Sequence, residues 1–70
     1  MSFYSIYVIE EFVELRTSEQ ERVAIARRGR LISTQKDYQS AKETGITLAK
    51  DKQLLFVDFT VLTPSLTDNN

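Results

Sequence analysis

This chain has nothing but packing to hold it together. Its seventy residues include no cysteine and no histidine, so neither a disulfide framework nor a thiolate or imidazole zinc site can staple it. A chain of this length buries only about 60% of its unfolded surface. One small apolar core is all it can build, and a core of that size leans on a partner or on a second copy. The apolar share of 41% and the charged share of 27% are those of an ordinary globular domain, so such a core is within reach.

The same absences remove chemistry. Without histidine there is no ordinary general base near neutral pH and no Ser-His pair, and without cysteine there is no thiolate nucleophile. The two glycines, Gly29 and Gly45, lie too far apart to make a phosphate-cradling loop. Ser5, Ser18, Ser33 and Ser40, with Lys36, Lys42, Lys50 and Lys52, are the remaining nucleophiles, and no spacing supplies any of them with an activating base. No cofactor or metal site is expected. The apolar run Phe3 to Ile9 stops at Glu10-Glu11 and is far short of the ~20 residues of a membrane span. A cytoplasmic protein is the expectation.

Charge is unevenly placed. Residues 1–21 carry five acids and one base, residues 22–36 five bases and no acid, and residues 37–70 five acids and three lysines. The net charge of -1 conceals an acidic, a basic and an acidic block.

Phe3 to Leu15 (FYSIYVIEEFVEL) is rich in aromatic and β-branched residues and reads as strand, either partly covered on both faces or with a bulge at Glu10-Glu11 switching its buried face midway. The segment 18–30 admits two readings. Ser18-Glu19-Gln20-Glu21 resembles a capping box that would open a helix. The alternation of Val23, Ile25 and Leu31 with Arg22, Ala24 and Arg30 favours a strand over Glu21 to Ala26 instead, then a turn at Arg27–Arg30 with positive φ at Gly29, and a short strand Leu31 to Ser33. Thr34 to Thr44 reads as the principal helix, capped by Thr34, with Asp37 in its first turn and Gly45 as its stop. Ile46 to Ala49 is a candidate lead-in strand turning at Lys50–Lys52. Gln53 to Thr63 reads as an interior strand, with Leu55, Val57, Phe59 and Val61 on its inner face. Pro64 ends that ladder, and 65–70 is a polar tail.

The expected fold is therefore α+β: a small, mainly antiparallel sheet of three to four strands with one helix at about 34–44 on one face, forming a single domain over 1–64. The basic cluster Arg22, Arg27, Arg28, Arg30 and Lys36, with Tyr38 beside it, is the candidate binding site for a protein or for nucleic acid. Tyr4 and Tyr7 are further candidate interface anchors. The acids Glu10, Glu11, Glu14 and Asp58 are read as a solvated face.

Glu21 to Ile32 (ERVAIARRGRLI), followed by Asp37-Tyr38 and Glu43-Thr44, resembles the strand, basic turn and helix of the Phd/YefM antitoxins over about a third of the chain. The resemblance implies a dimeric regulator that binds operator DNA through its N-terminal part and a toxin through its C-terminal part. The residues themselves favour a non-catalytic interaction module (inhibitor, adaptor or accessory subunit) docking on a protein, with self-association as a further expectation. The basic turn or an open sheet edge would be its working surface. A nucleic-acid-binding regulator using the basic 22–36 segment is the alternative.

Overall fold

The computed structural model describes residues 3–61. They form an α+β domain in which a four-stranded sheet carries a helix on each face. The chain opens with β1 (Tyr4–Ile9) and β2 (Phe12–Thr17), continues through a 3-10 turn at Ser18–Gln20 into α1 (Glu21–Ala26), then β3 (Arg30–Gln35), α2 (Tyr38–Lys52), β4 (Leu55–Asp58) and a second 3-10 turn at Phe59–Val61. The strand order is β3-β1-β2-β4; both of β1's pairings are antiparallel, and β4 runs parallel to β2.

The long first strand of the sequence reading is two strands. Ile9 pairs with Phe12 across the turn, so Glu10-Glu11 is a two-residue hairpin loop and not a bulge. Glu10 has φ 54, the left-handed geometry that such tight turns require. The bulge lies elsewhere, in β3 at Ile32, where the register shifts between Ile6–Ser33 and Tyr7–Leu31.

One face of the sheet holds the main core. Ile6, Val13 and Leu15 meet Ala41 and Ala49 of α2, with Tyr4, Val8, Tyr38, Leu48, Leu54 and Phe56 closing the margins. Small residues at 41, 45 and 49 let α2 lie close on the strands. The sequence reading ended this helix at Gly45, but Gly45 is buried in its middle, facing Phe56. The helix instead begins one residue after Asp37, whose side chain accepts from Ser40 N–H at 2.8 Å. That capping bond, first through the backbone amide, holds the Asp37 carboxyl below its usual range. Thr34, expected as the cap, lies within β3, and Ile46 to Ala49, expected as strand, is helix.

The opposite face is covered by α1, whose Ala24 packs on Tyr7 and Ile9. The strand expected over Glu21 to Ala26 is therefore a helix. Its entry is shaped by Gln20, whose Oε1 accepts from Thr17 N–H at 2.9 Å, one position ahead of the expected box. The crossovers β2-α1-β3 and β3-α2-β4 travel in opposite directions across the sheet and over opposite faces. They share one hand, the condition for both to satisfy the right-handed preference of parallel connections.

β4 is a four-residue edge strand, not an interior one. Phe56 faces α2, while Leu55, expected inside, is 59% exposed. The remainder of the expected strand from Leu62, Pro64 and the tail at 65–70 lie outside the described residues. Among the described residues, no helix is long and apolar enough to cross a membrane.

Both helices end in the same way. Arg28 N–H bonds Ile25 O at 2.9 Å and Gly29 N–H bonds Ala24 O at 2.8 Å; Gln53 N–H bonds Lys50 O at 3.3 Å and Leu54 N–H bonds Ala49 O at 2.8 Å. These are paired Schellman bonds, with Arg28 (φ 63) and Gln53 (φ 58) in the left-handed position that glycine usually fills. Replacing Gln53 by glycine is accordingly expected to raise stability by about 1 kcal/mol, read as a higher urea midpoint at unchanged slope. A lower midpoint would mean that the Gln53 side chain contributes more than its backbone strain costs.

Candidate functional site

The six residues of the predicted site are all positioned by the structure, and they do not form one cluster. Arg22 lies exposed in the first turn of α1, and Arg28 is exposed just beyond its end. Arg27 reaches inward, its Nη1 donating to Glu14 Oε2 at 3.3 Å. Arg30 pairs with Val8 in register and so belongs to the α2 side of the sheet edge, because directly opposed residues share a face. Lys36 follows β3 at the other end of that strand. Tyr38 is on α2, donating to Asp58 Oδ2 at 2.6 Å and stacked edge-on against Tyr4 at 5.5 Å. The bond to Asp58, which would repel a phenolate, raises the Tyr38 hydroxyl above its usual range. Its phenol ties α2 to β4, and its ring packs against the main core.

The acids likewise divide. Glu10 and Glu11 form the exposed hairpin tip. Glu14, expected on a solvated face, is 2% exposed and holds Arg16 Nε at 3.0 Å. Arg16, also buried, lies with its guanidinium carbon 3.9 Å from the Phe59 ring centroid. Nearby, Ser5 is fully buried and bonded to Glu21 Oε2 and to Thr34 Oγ1. Ser5 thus has a carboxylate partner, but no substrate can reach it. Among the described residues, every buried side-chain polar atom is satisfied and no acidic group is arranged to hold a metal ion. An open depression along α2, lined by Ser40, Glu43, Thr44, Thr47, Leu48 and Asp51, contains hydroxyls and carboxylates but no activated nucleophile.

What sequence reasoning missed is the outer surface of α1. Only Ala24 of this helix is buried; Val23 is 51% and Ile25 62% exposed. Leu31, 52% exposed, opposes Tyr7 in register and so lies on the same side of the sheet as α1. Three large aliphatic side chains therefore face solvent around one short helix, with Arg22 and Arg28 at its two ends. The signal was present in the bunching of apolar residues at 23–26. The alternation of Val23 and Ile25 with smaller or charged neighbours points to a strand instead.

Gly29 is required here for space and not for φ, which is not positive. A Cβ at Gly29 would meet Ile9 Cγ1 at 2.7 Å and Ala24 O at 3.0 Å, so the loop leaving α1 is pressed against the helix and β1. The stretch that resembles an antitoxin strand is α1 itself. Compared with family models, with curated proteins and with solved structures, the chain matches none.

Proposed function

We propose that this chain is a small non-catalytic module that docks onto a protein partner through the outer surface of α1 and the adjoining start of β3. The observation that carries this reading is the exposure of Val23, Ile25 and Leu31 on a domain whose apolar core is otherwise small. Isolated exposed aliphatics need no explanation, but α1 buries only Ala24 and leaves Val23 on one flank and Ile25 on the other, so a partner seated astride the helix would cover both.

Strand addition at a sheet edge has less support. β3 is bulged and begins with Arg30, and β4 has only four residues; both features oppose edge pairing. Nucleic-acid binding also has less support. Arg22 and Arg28 lie on the α1 side of the sheet, whereas Arg30 belongs to the α2 side and Lys36 to the far end of β3, so no single basic track is formed.

The test is capture from an extract of the native source, wild type against Val23→Asp/Ile25→Asp. Both positions are exposed, so the variant is expected to keep its circular dichroism and thermal transition. The docking reading expects at least one protein retained by wild type and lost by the variant. Identical captured sets, or no capture by either, would overturn it.

A further inference from the structure

We infer that α1 is a lid latched by polar bonds: residues 21–28 lift off the sheet as a unit while the strands and α2 stay folded, uncovering Tyr7 and Ile9. This opening needs no partner and does not rest on the docking reading.

Little apolar contact holds α1 down. A six-residue helix is too short to persist by itself, so its ties to the sheet keep it helical. Only Ala24 is buried, against Tyr7 and Ile9. Val23 and Ile25, one on each flank, are more than half exposed. The side-chain latches are polar: Ser5 Oγ donates to Glu21 Oε2, and Arg27 Nη1 donates to Glu14 Oε2 at 3.3 Å. By contrast, α2 buries Ala41, Gly45 and Ala49 along its fifteen residues. An element with one buried side chain belongs to the low end of the range of local opening free energies.

The sheet side of each latch has a second partner on the sheet. Glu14 keeps Arg16 Nε at 3.0 Å when Arg27 leaves, and both residues belong to β2. Ser5 keeps Thr34 Oγ1 at 3.2 Å, across β1 and β3, when Glu21 leaves. Glu21 and Arg27 themselves pass to water. Stranding a buried polar group is what makes many local openings costly, and here none of the latch groups is stranded.

Anchors on both sides set the limits of the moving unit. Ahead of α1, Ser18 N–H bonds Phe3 O at 3.1 Å, and Gln20 accepts from Thr17 N–H and donates to Phe59 O, so the 3-10 turn stays with β2. Beyond it, Arg30 is already paired with Val8 in β3. Arg28 and Gly29 form the link between helix and strand. Tyr7 and Ile9, 3% and 4% exposed under the closed lid, are the surface that opening presents.

The experiment is thiol labelling of the full chain, which has no native cysteine. Ala24→Cys places a thiol beneath α1 and Ala41→Cys one beneath α2; both alanines are fully buried. Circular dichroism and a urea midpoint establish that each variant is folded. A disulfide reagent is expected to label Ala24→Cys on the order of a hundredfold faster than Ala41→Cys. Mild urea should accelerate labelling at 41 steeply and at 24 little, because opening the lid exposes little surface. Adding Arg27→Ala, which removes one latch, should raise the Ala24→Cys rate about two- to fivefold. Hydrogen exchange of the unsubstituted chain gives a reading free of any cysteine. The Gly29 amide, bonded to Ala24 O at 2.8 Å, should exchange with the same weak urea dependence, while the amides pairing β1 with β2 follow global unfolding.

Equal labelling at 24 and 41, or parallel urea dependence of the two, would mean that α1 leaves only with global unfolding and overturns the inference. So does an Ala24→Cys rate that Arg27→Ala leaves unchanged. If a cysteine variant fails to fold, the exchange measurement decides: a Gly29 amide as protected and as urea-sensitive as those of β1 and β2 overturns it.

Discussion

Glu14→Ala is expected to leave the protein largely unfolded at room temperature. Glu14 is 2% exposed and is the carboxylate to which both Arg16 and Arg27 turn. Removing it strands the buried Arg16 guanidinium, which also donates to Gln20 O at 3.4 Å and lies over the Phe59 ring. Breaking a buried pair from one side costs about 3–5 kcal/mol, against the roughly 3–5 kcal/mol that a core of this size supplies in total. The measurement is urea unfolding followed by circular dichroism, and the expected trace has no native baseline.

Two companions make the outcome specific. Arg27→Ala removes a side chain that is 43% exposed, so its loss should be about 1 kcal/mol or less. Glu14→Leu/Arg16→Leu removes both buried charges together and is expected to fold, because apolar replacement of a buried pair is often neutral or better. A Glu14→Ala protein with a wild-type midpoint would show that the charge cluster does not support the fold.

Gly45 carries the second large effect. A Cβ at this position would lie 2.6 Å from Phe56 Cε1 and 3.2 Å from Cδ1. The ring is held between α2 and an edge strand, so a larger residue must push β4 away or bend the helix. Gly45→Leu is expected to destabilise by about 3 kcal/mol, the upper range of overpacking. Gly45→Ala combines a gain of about 1 kcal/mol in helix propensity with part of that overlap, and should be net destabilising. In a Phe56→Ala background the overlap disappears and the same Gly45→Ala change should become stabilising. If its sign is the same in both backgrounds, the Gly45–Phe56 contact is not what selects glycine.

These two sites also explain where sequence reasoning succeeded and failed. The class of fold was legible because it depends on composition along the chain. The aromatic and β-branched density of Phe3 to Leu15 demanded strands, Thr34 to Thr44 overlapped the true helix, and 53–63 contained β4. The punctuation was misread. In sequence, glycine signals turns, yet both glycines serve close packing, Gly29 under Ile9 and Ala24, Gly45 under Phe56. The left-handed positions fall on Glu10, Arg28 and Gln53 instead. Residues with a Cβ accept that conformation at a cost of about 1–2 kcal/mol, recovered here by the hairpin pairing and the Schellman bonds that those turns close.

The candidate site was legible only as a region. That 22–36 is basic could be counted; that Arg27 turns inward, Arg30 belongs to the α2 side and Tyr38 fastens α2 to β4 could not. The side taken by Arg30 depends on sheet register, set by the hairpin turn and by the bulge at Ile32, neither of which carried a glycine or proline to announce it, while Arg27 and Tyr38 are placed by how α1 and α2 dock on the sheet.

The sequence by itself determined the class and the limits: a small α+β chain, without staples or histidine chemistry, with its positive charge gathered in the middle. Those properties are sums over residues and survive any arrangement of them. Only the tertiary structure decided which side chains are hidden. In a helix Val23 and Ile25 flank an inward Ala24, whereas in a strand they would share one face, and packing on Tyr7 and Ile9 selected the helix. That choice turned two apolar residues outward, buried a glutamate with its arginine, and left the exposed surface of α1 as the place to look for a partner.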